Sequence, residues 1–168
     1  MPNITQSEIL AAIEAIVSGV ADVGLVLTRE RFVESDKELL NLFANLNSGV
    51  AKGWLIAYSG FSQLRGDAPG EVIRTLKFKL LSLYPYEDSR SDGNTSHTKF
   101  WEMVEAVNTA IILESNWNLG LDNRLQHSLL QSDGEGEFSV SRYGEGAGSK
   151  LLHHGIFTLE VEVIINVC

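Results

Sequence analysis

The stretch FTLEVEVIIN, Phe157–Asn166, decides how the chain is read. Its residues alternate with a period of two, the spacing of a β-strand whose successive side chains point to opposite faces. Phe157, Leu159, Val161, Val163, Ile165 and Val167 form one face. Thr158, Glu160, Glu162 and Asn166 form the other, with Ile156 and Ile164 at its ends. A strand with one apolar and one acidic face is half-buried. The apolar face must pack on helices, so the two carboxylates belong on the outer face of a sheet.

A partner strand is visible upstream. In EVIRTLKFKLLSLYPY, residues 71–86, Leu76, Phe78, Leu80 and Tyr84 share one face, and Thr75, Lys77 and Lys79 share the other. Pro85 ends this strand, read as 72–84. If the two strands are neighbours, Glu160 and Glu162 can pair with Lys77 and Lys79, each pair worth roughly 0.2–1 kcal/mol. The other reading is that this outer face lies against another subunit or lines a lumen. The pattern alone leaves both open.

Helix signals fill the rest. Thr5 and Glu8 make a T-x-x-E capping box ahead of Ile9, Ile13, Ile16, Val17 and Val20 at helical spacing, which predicts a helix over 5–19. Residues 24–32 are a short extended candidate. Ser35 and Glu38 form a second box, and Leu39, Leu42, Phe43 and Leu46 predict a short helix over 36–46. VAKGWLIAYSGF predicts a strand over 52–59, and RGDAPG, 65–70, a loop. A helix over 96–114 follows from Phe100, Met103, Val104, Val107 and Ile111, with Trp101 and Ile112 widening its apolar face. The segments flanking SDGEGE read as a hairpin of two short extended pieces, with Asp133-Gly134 as its turn pair. GEGAGS is expected to be a flexible connector, and the closing strand is expected from about Gly155 to Val167.

The whole is expected to be one α+β domain, 1–168, with an antiparallel or mixed sheet of about four to five strands and helices packed on one face. A chain of 168 residues buries roughly 70% of its unfolded surface, enough for an independent core.

Charge and composition narrow the function classes. With 13 Lys and Arg against 22 Asp and Glu, the net charge is -9, which argues against broad nucleic-acid binding. A neutral or repulsive wall that DNA passes without sticking is still compatible. The single cysteine, Cys168, allows no disulfide within the chain, and a reducing compartment is expected. Residues 1–20 lack the basic start of a signal peptide, and Glu8 and Glu14 interrupt their apolar run. The apolar stretches fall short of the ~20 residues of a membrane span, so a soluble, intracellularly made chain without a membrane partner is expected.

Motifs with intact chemical spacing are missing. YGEGAGSK, Tyr143–Lys150, resembles a phosphate loop, but Ser149 separates Gly148 from Lys150 and a strand rather than a helix should follow. DSRSDGNTSHTK places Asp88, Asp92 and Gly93 as in a calcium loop, but Arg90 and Lys99 stand where oxygen ligands belong. His153 and His154 point to opposite faces, and His97 and His127 have no carboxylate or cysteine at ligand spacing, so no metal site is expected. Cys168 is terminal and no G-x-S-x-G elbow occurs, so no nucleophile is indicated. Glu135 and Glu137 sit in a Gly-rich turn that suits solvation better than acid–base work. Trp54, Tyr58 and Phe61 could stack bases, but with so little basic charge nearby they read as core or interface.

The order of the pieces resembles the tail terminator (tail-completion) proteins of tailed bacteriophages. The resemblance rests on TQSEILAAIEAIV, GWLIAYSG, RTLKFKLLSLYP, FWEMVEAVNTAII and GIFTLEVEVII, spread over most of the chain as pattern and order rather than as a sharp motif. The short helix at 36–46 departs from that plan. The resemblance implies a small α+β domain in a hexameric ring that caps the tail tube and meets the head connector or neck proteins, while genomic DNA passes without specific binding. It implies a virion protein assembled in the host cytoplasm, with no enzyme activity, cofactor or catalytic residue. Interface or lumen candidates are then Glu160, Glu162, Lys77 and Lys79 on the strand faces, and Asp133, Glu135 and Glu137 within the loop 131–149; the loop 87–96 is a further candidate. A head–tail adaptor or other neck component, and a small cytosolic α+β enzyme or ligand-binding domain, are the alternatives.

Overall fold

The capping box expected from Thr5 and Glu8 starts the first helix, α1, Gln6–Ser18. Glu8 N–H donates to Thr5 Oγ1 at 3.2 Å, and Thr5 N–H donates back to Glu8 Oε2 at 2.7 Å. These bonds to the Thr5 backbone and side chain hold the Glu8 carboxyl below its ordinary value of 4.5. Ile9, Ile13 and Val17, spaced by four, form the buried stripe. The computed structural model describes residues 4–29, 43, 51–86, 95–113, 118–121, 125–127, 131–132, 138–143 and 150–166. The expected helix over 36–46 lies outside the described residues apart from Phe43, which is helical and fully buried.

One mixed sheet carries the fold. It contains β1 (Leu25–Arg29), β2 (Gly53–Arg65), β3 (Glu71–Pro85), β4 (Leu125–His127), β5 (Gln131–Ser132), β6 (Phe138–Tyr143) and β7 (Lys150–Asn166). The order is β1-β2-β3-β7, and β4, β5 and β6 follow one another along the far edge of β7. These three pieces occupy one strand position, so the sheet has five. β1 and β2 are parallel; every other pairing is antiparallel.

Three expectations are corrected. β2 runs on to Arg65 instead of stopping at 59, because a bulge absorbs the Ser59-Gly60 punctuation. Ser59 Oγ donates to the Lys77 carbonyl at 3.0 Å, and Gly60 takes φ 146°, a conformation that favours glycine. The pieces around SDGEGE do not form a hairpin with each other. Both β5 and β6 pair with β7, and the hairpin is β6–β7, joined through 144–149. β7 itself begins at Lys150, five positions before the expected Gly155.

The second helix, α2, Thr95–Ile112, packs with α1 on the inner face of the sheet. There Ile9, Ile13, Phe100, Val107, Phe78 and Leu159 are fully buried among the residues of the main core. Of the two residues expected to widen the α2 stripe, Trp101 is half-buried and Ile112 is exposed. The outer face is not bare throughout. Leu55, Leu81, Leu83 and Leu152 form a second buried cluster with Phe43 and Ala51. Leu81 and Leu83 continue the alternation of Lys77 and Lys79, so the outer face changes from polar to buried apolar along one strand.

Candidate assembly surface

The polar half of the outer face is fixed by strand register. Lys77 lies opposite Glu160, Lys79 opposite Thr158, and Thr75 opposite Glu162. Lys77 Nζ and Glu160 Oε1 are 2.6 Å apart, with the side chains 45% and 39% exposed. An ion pair this wet contributes about 0.2–1 kcal/mol and no specificity of its own. The expected pairing of Glu162 with Lys79 is corrected: Glu162 faces Thr75 on one side and Gln126 on the other. Two lysines stand against two glutamates here, so this patch is locally balanced. The acidity of the chain, net -9, is not concentrated on it.

Beyond the bulge, β2, β3 and β7 continue as an arm of the sheet, with β4 paired to β7 at residues 161–163 and with Leu76, Val161 and Val163 still part of the main core. β1 pairs with β2 only from Gly53 to Ala57. Among the described residues, the edge of β2 from Tyr58 to Arg65 has no neighbouring strand. Residues 61–65 are all exposed, Phe61 by 60% and Leu64 by 70%. Leu64, Ile73 and Ile164 stand in one cross-strand row on the outer face. A long, apolar sheet edge is a pairing site unless it is blocked. On the inner face, Phe61, Arg74, Leu76, Val163, Ile4 and Gln6 contribute to a cleft of about 240 Å³ where the arm leaves α1.

A third grouping sits at the start of α2. Ser96 Oγ and His153 Nε2 are 3.0 Å apart, and both residues are 3% exposed. His153 stacks on Phe100 at 5.6 Å between ring centroids, and the His97 ring lies 5.7 Å away. Trp101 Nε1 donates to His97 Nε2 at 3.0 Å. Burial pushes the His153 imidazole below its ordinary value of 6.5, and the neighbouring His97 pushes it further. The neutral ring is therefore the stable form. The fold thus gathers two histidines that lie far apart in sequence, but among the described residues no group of three metal-ligating side chains forms.

The remaining candidates fall as follows. Trp54 is fully buried and Tyr58 half-buried, so of the aromatic trio only Phe61 faces solvent. His153 is buried and His154 half-buried on the opposite face, as the alternation requires. A strand follows the YGEGAGSK loop, with β7 starting at Lys150. Asp133, Glu135, Glu137, the calcium-like Asp88–Gly93 segment and Cys168 lie outside the described residues, as does the side chain of His127. No described helix is long and apolar enough to cross a membrane. Sequence reasoning missed the arm. FSQLR after the Ser59-Gly60 pair carries no period-two signal, since Phe61 and Leu64 fall on opposite faces, so only the pairing with β3 reveals the strand there. Comparison with protein-family models and with curated proteins finds no match.

Proposed function

We propose that the chain is a non-enzymatic virion assembly protein, a tail terminator whose copies close into a ring, six by the resemblance, capping the tail tube and joining it to the head connector. The observation that carries this reading is the arm: an open sheet edge flanked by Phe61 and Leu64, at 60% and 70% exposure. Open edges and exposed apolar side chains serve contacts between chains. Ring contacts need two different complementary patches on each protomer, and the arm supplies one of them. The balanced outer patch of Lys77, Lys79, Glu160 and Glu162 suits a wall that DNA passes without being gripped.

Helical Phe43 favours a second reading, a head–tail adaptor or other neck component, because the segment around it departs from the tail-terminator plan. Partner choice separates the two: a terminator binds the tube end, an adaptor the connector. The test is electron microscopy of the purified protein with mass by light scattering, alone and with tail tube protein. A six-fold ring is expected, and a strictly dimeric species under all conditions contradicts the reading.

A further inference from the structure

Two histidines meet where the first turn of α2 rests on β7, and each opposes a proton for its own reason. Trp101 Nε1 donates to His97 Nε2 at 3.0 Å. An indole N–H only donates, so this bond needs the lone pair on Nε2 and leaves the His97 proton on Nδ1. A charged His97 carries N–H at both ring nitrogens and cannot accept, so one proton sets two donors against each other. The helix positions three and four residues on are Phe100 and Trp101, which offer no carboxylate to stabilise an imidazolium. The charged residues near His97 on α2, Lys99 and Glu102, are exposed and lie about 160° and 140° around the helix from it.

His153 is 3% exposed and packs between rings of two elements. Phe100 of α2 stacks on it at 5.6 Å, and Tyr86, just past β3, lies at 5.2 Å. Ser96 Oγ, 3.0 Å from His153 Nε2, can donate to the neutral ring or accept from the charged one, so that bond does not oppose charging. Burial opposes it, and so does the charge of His97, whose ring centroid is 5.7 Å away. Across the strands, β3 sets Tyr84 opposite His153, with Lys52 Nζ 4.8 Å from the Tyr84 centroid. On the other side β6 sets Val140 opposite it, with Arg142 two positions on. These neighbours are aromatic, apolar or cationic, and the carboxylate of Asp22 is taken up by Lys52 at 2.6 Å.

We infer that the start of α2 is a proton-operated latch: neutral His97 and His153 hold it on β7, and proton uptake by the two rings releases it and uncovers Phe100. The rest of α2 stays docked, because Val107 and Ile111 are fully buried in the main core. The folded pKa of His153 lies below 6.5, so its hold is complete above that value and is lost as pH falls through the folded pKa. Neutral solution therefore closes the latch and mild acid opens it. The device works within one chain and does not rest on the ring proposed above.

Nuclear magnetic resonance of the full chain from about pH 8 to 5 tests it. The Trp101 indole N–H resonance should move together with the ring protons of His97 and His153. Amide protection at residues 99–103, corrected for intrinsic exchange, should fall roughly 10-fold or more while that at 107–111 holds. His97→Gln supplies a carbonyl acceptor that takes up no proton, and should keep most of the 99–103 protection at about pH 5. A parallel loss along the whole of α2, no loss at 99–103, or an undiminished loss in His97→Gln overturns the latch.

Discussion

The two ends of the long strands belong to one sheet and meet opposite fates. At the body end, Trp54, Leu55, Ile56 and Leu83 are fully buried, with helices over the inner face and the Phe43 cluster over the outer. At the arm end β2 carries exposed Phe61 and Leu64, and β3 carries half-buried Ile73 and Arg74. Both ends are strand; their cover differs. Stability is therefore concentrated in the body, and the arm is the surface on which the proposed self-assembly relies.

Truncating one aromatic at each end breaks or supports that contrast most directly. Phe78→Ala, in the body, is expected to cost about 3–5 kcal/mol in denaturant unfolding. Phe61→Ala, on the arm, should stay within about 0.5 kcal/mol. Equal losses would mean that the arm is part of the core. Leu83→Ala sharpens the contrast on the outer face, with an expected loss of about 2–5 kcal/mol; a surface-like value would leave that face uncovered. Thr5→Ala removes the cap of α1 at the end nearest the arm. It should cost about 1 kcal/mol, seen as a lower thermal midpoint without loss of helical signal.

The pH response should come from the body alone. His153 is held neutral, with its folded pKa below the unfolded value of 6.5. Its stabilising effect is complete above that value and is lost as pH falls through the folded pKa. The thermal midpoint should drop on acidification from about pH 7 to 5, and His153→Phe should remove part of that drop. An unchanged slope in the variant would show that the ring titrates freely. The smallest effect is expected on the polar outer face, where Lys77→Ala should cost about 0.2–1 kcal/mol.

Much of this was legible in the sequence because it is local. The period of two in FTLEVEVIIN placed Glu160 and Glu162 outward, and the Thr5–Glu8 box placed the start of α1. What escaped is non-local or one residue long. The Lys77–Glu160 pair was expected, but the mismatch of Lys79 with Glu162 depends on a register that composition does not encode. The Ser59-Gly60 pair reads as a strand end, and only the β3 partner shows it to be a bulge. β4, β5 and β6 look like a hairpin because their shared partner, β7, comes later in the chain. Ser96 and His153 are separated by 57 positions, so no spacing rule joins them.

The account stands on an arm whose outer edge is open in one copy and covered in the assembly. Hydrogen exchange read along β2, in dilute monomer and in the assembled form, tests this directly. The edge-facing amides of residues 58–65 should exchange much faster than those of 53–57 in the monomer and become protected on assembly. Equal protection of both segments in the monomer, or no gain at 58–65 in the assembly, would contradict it.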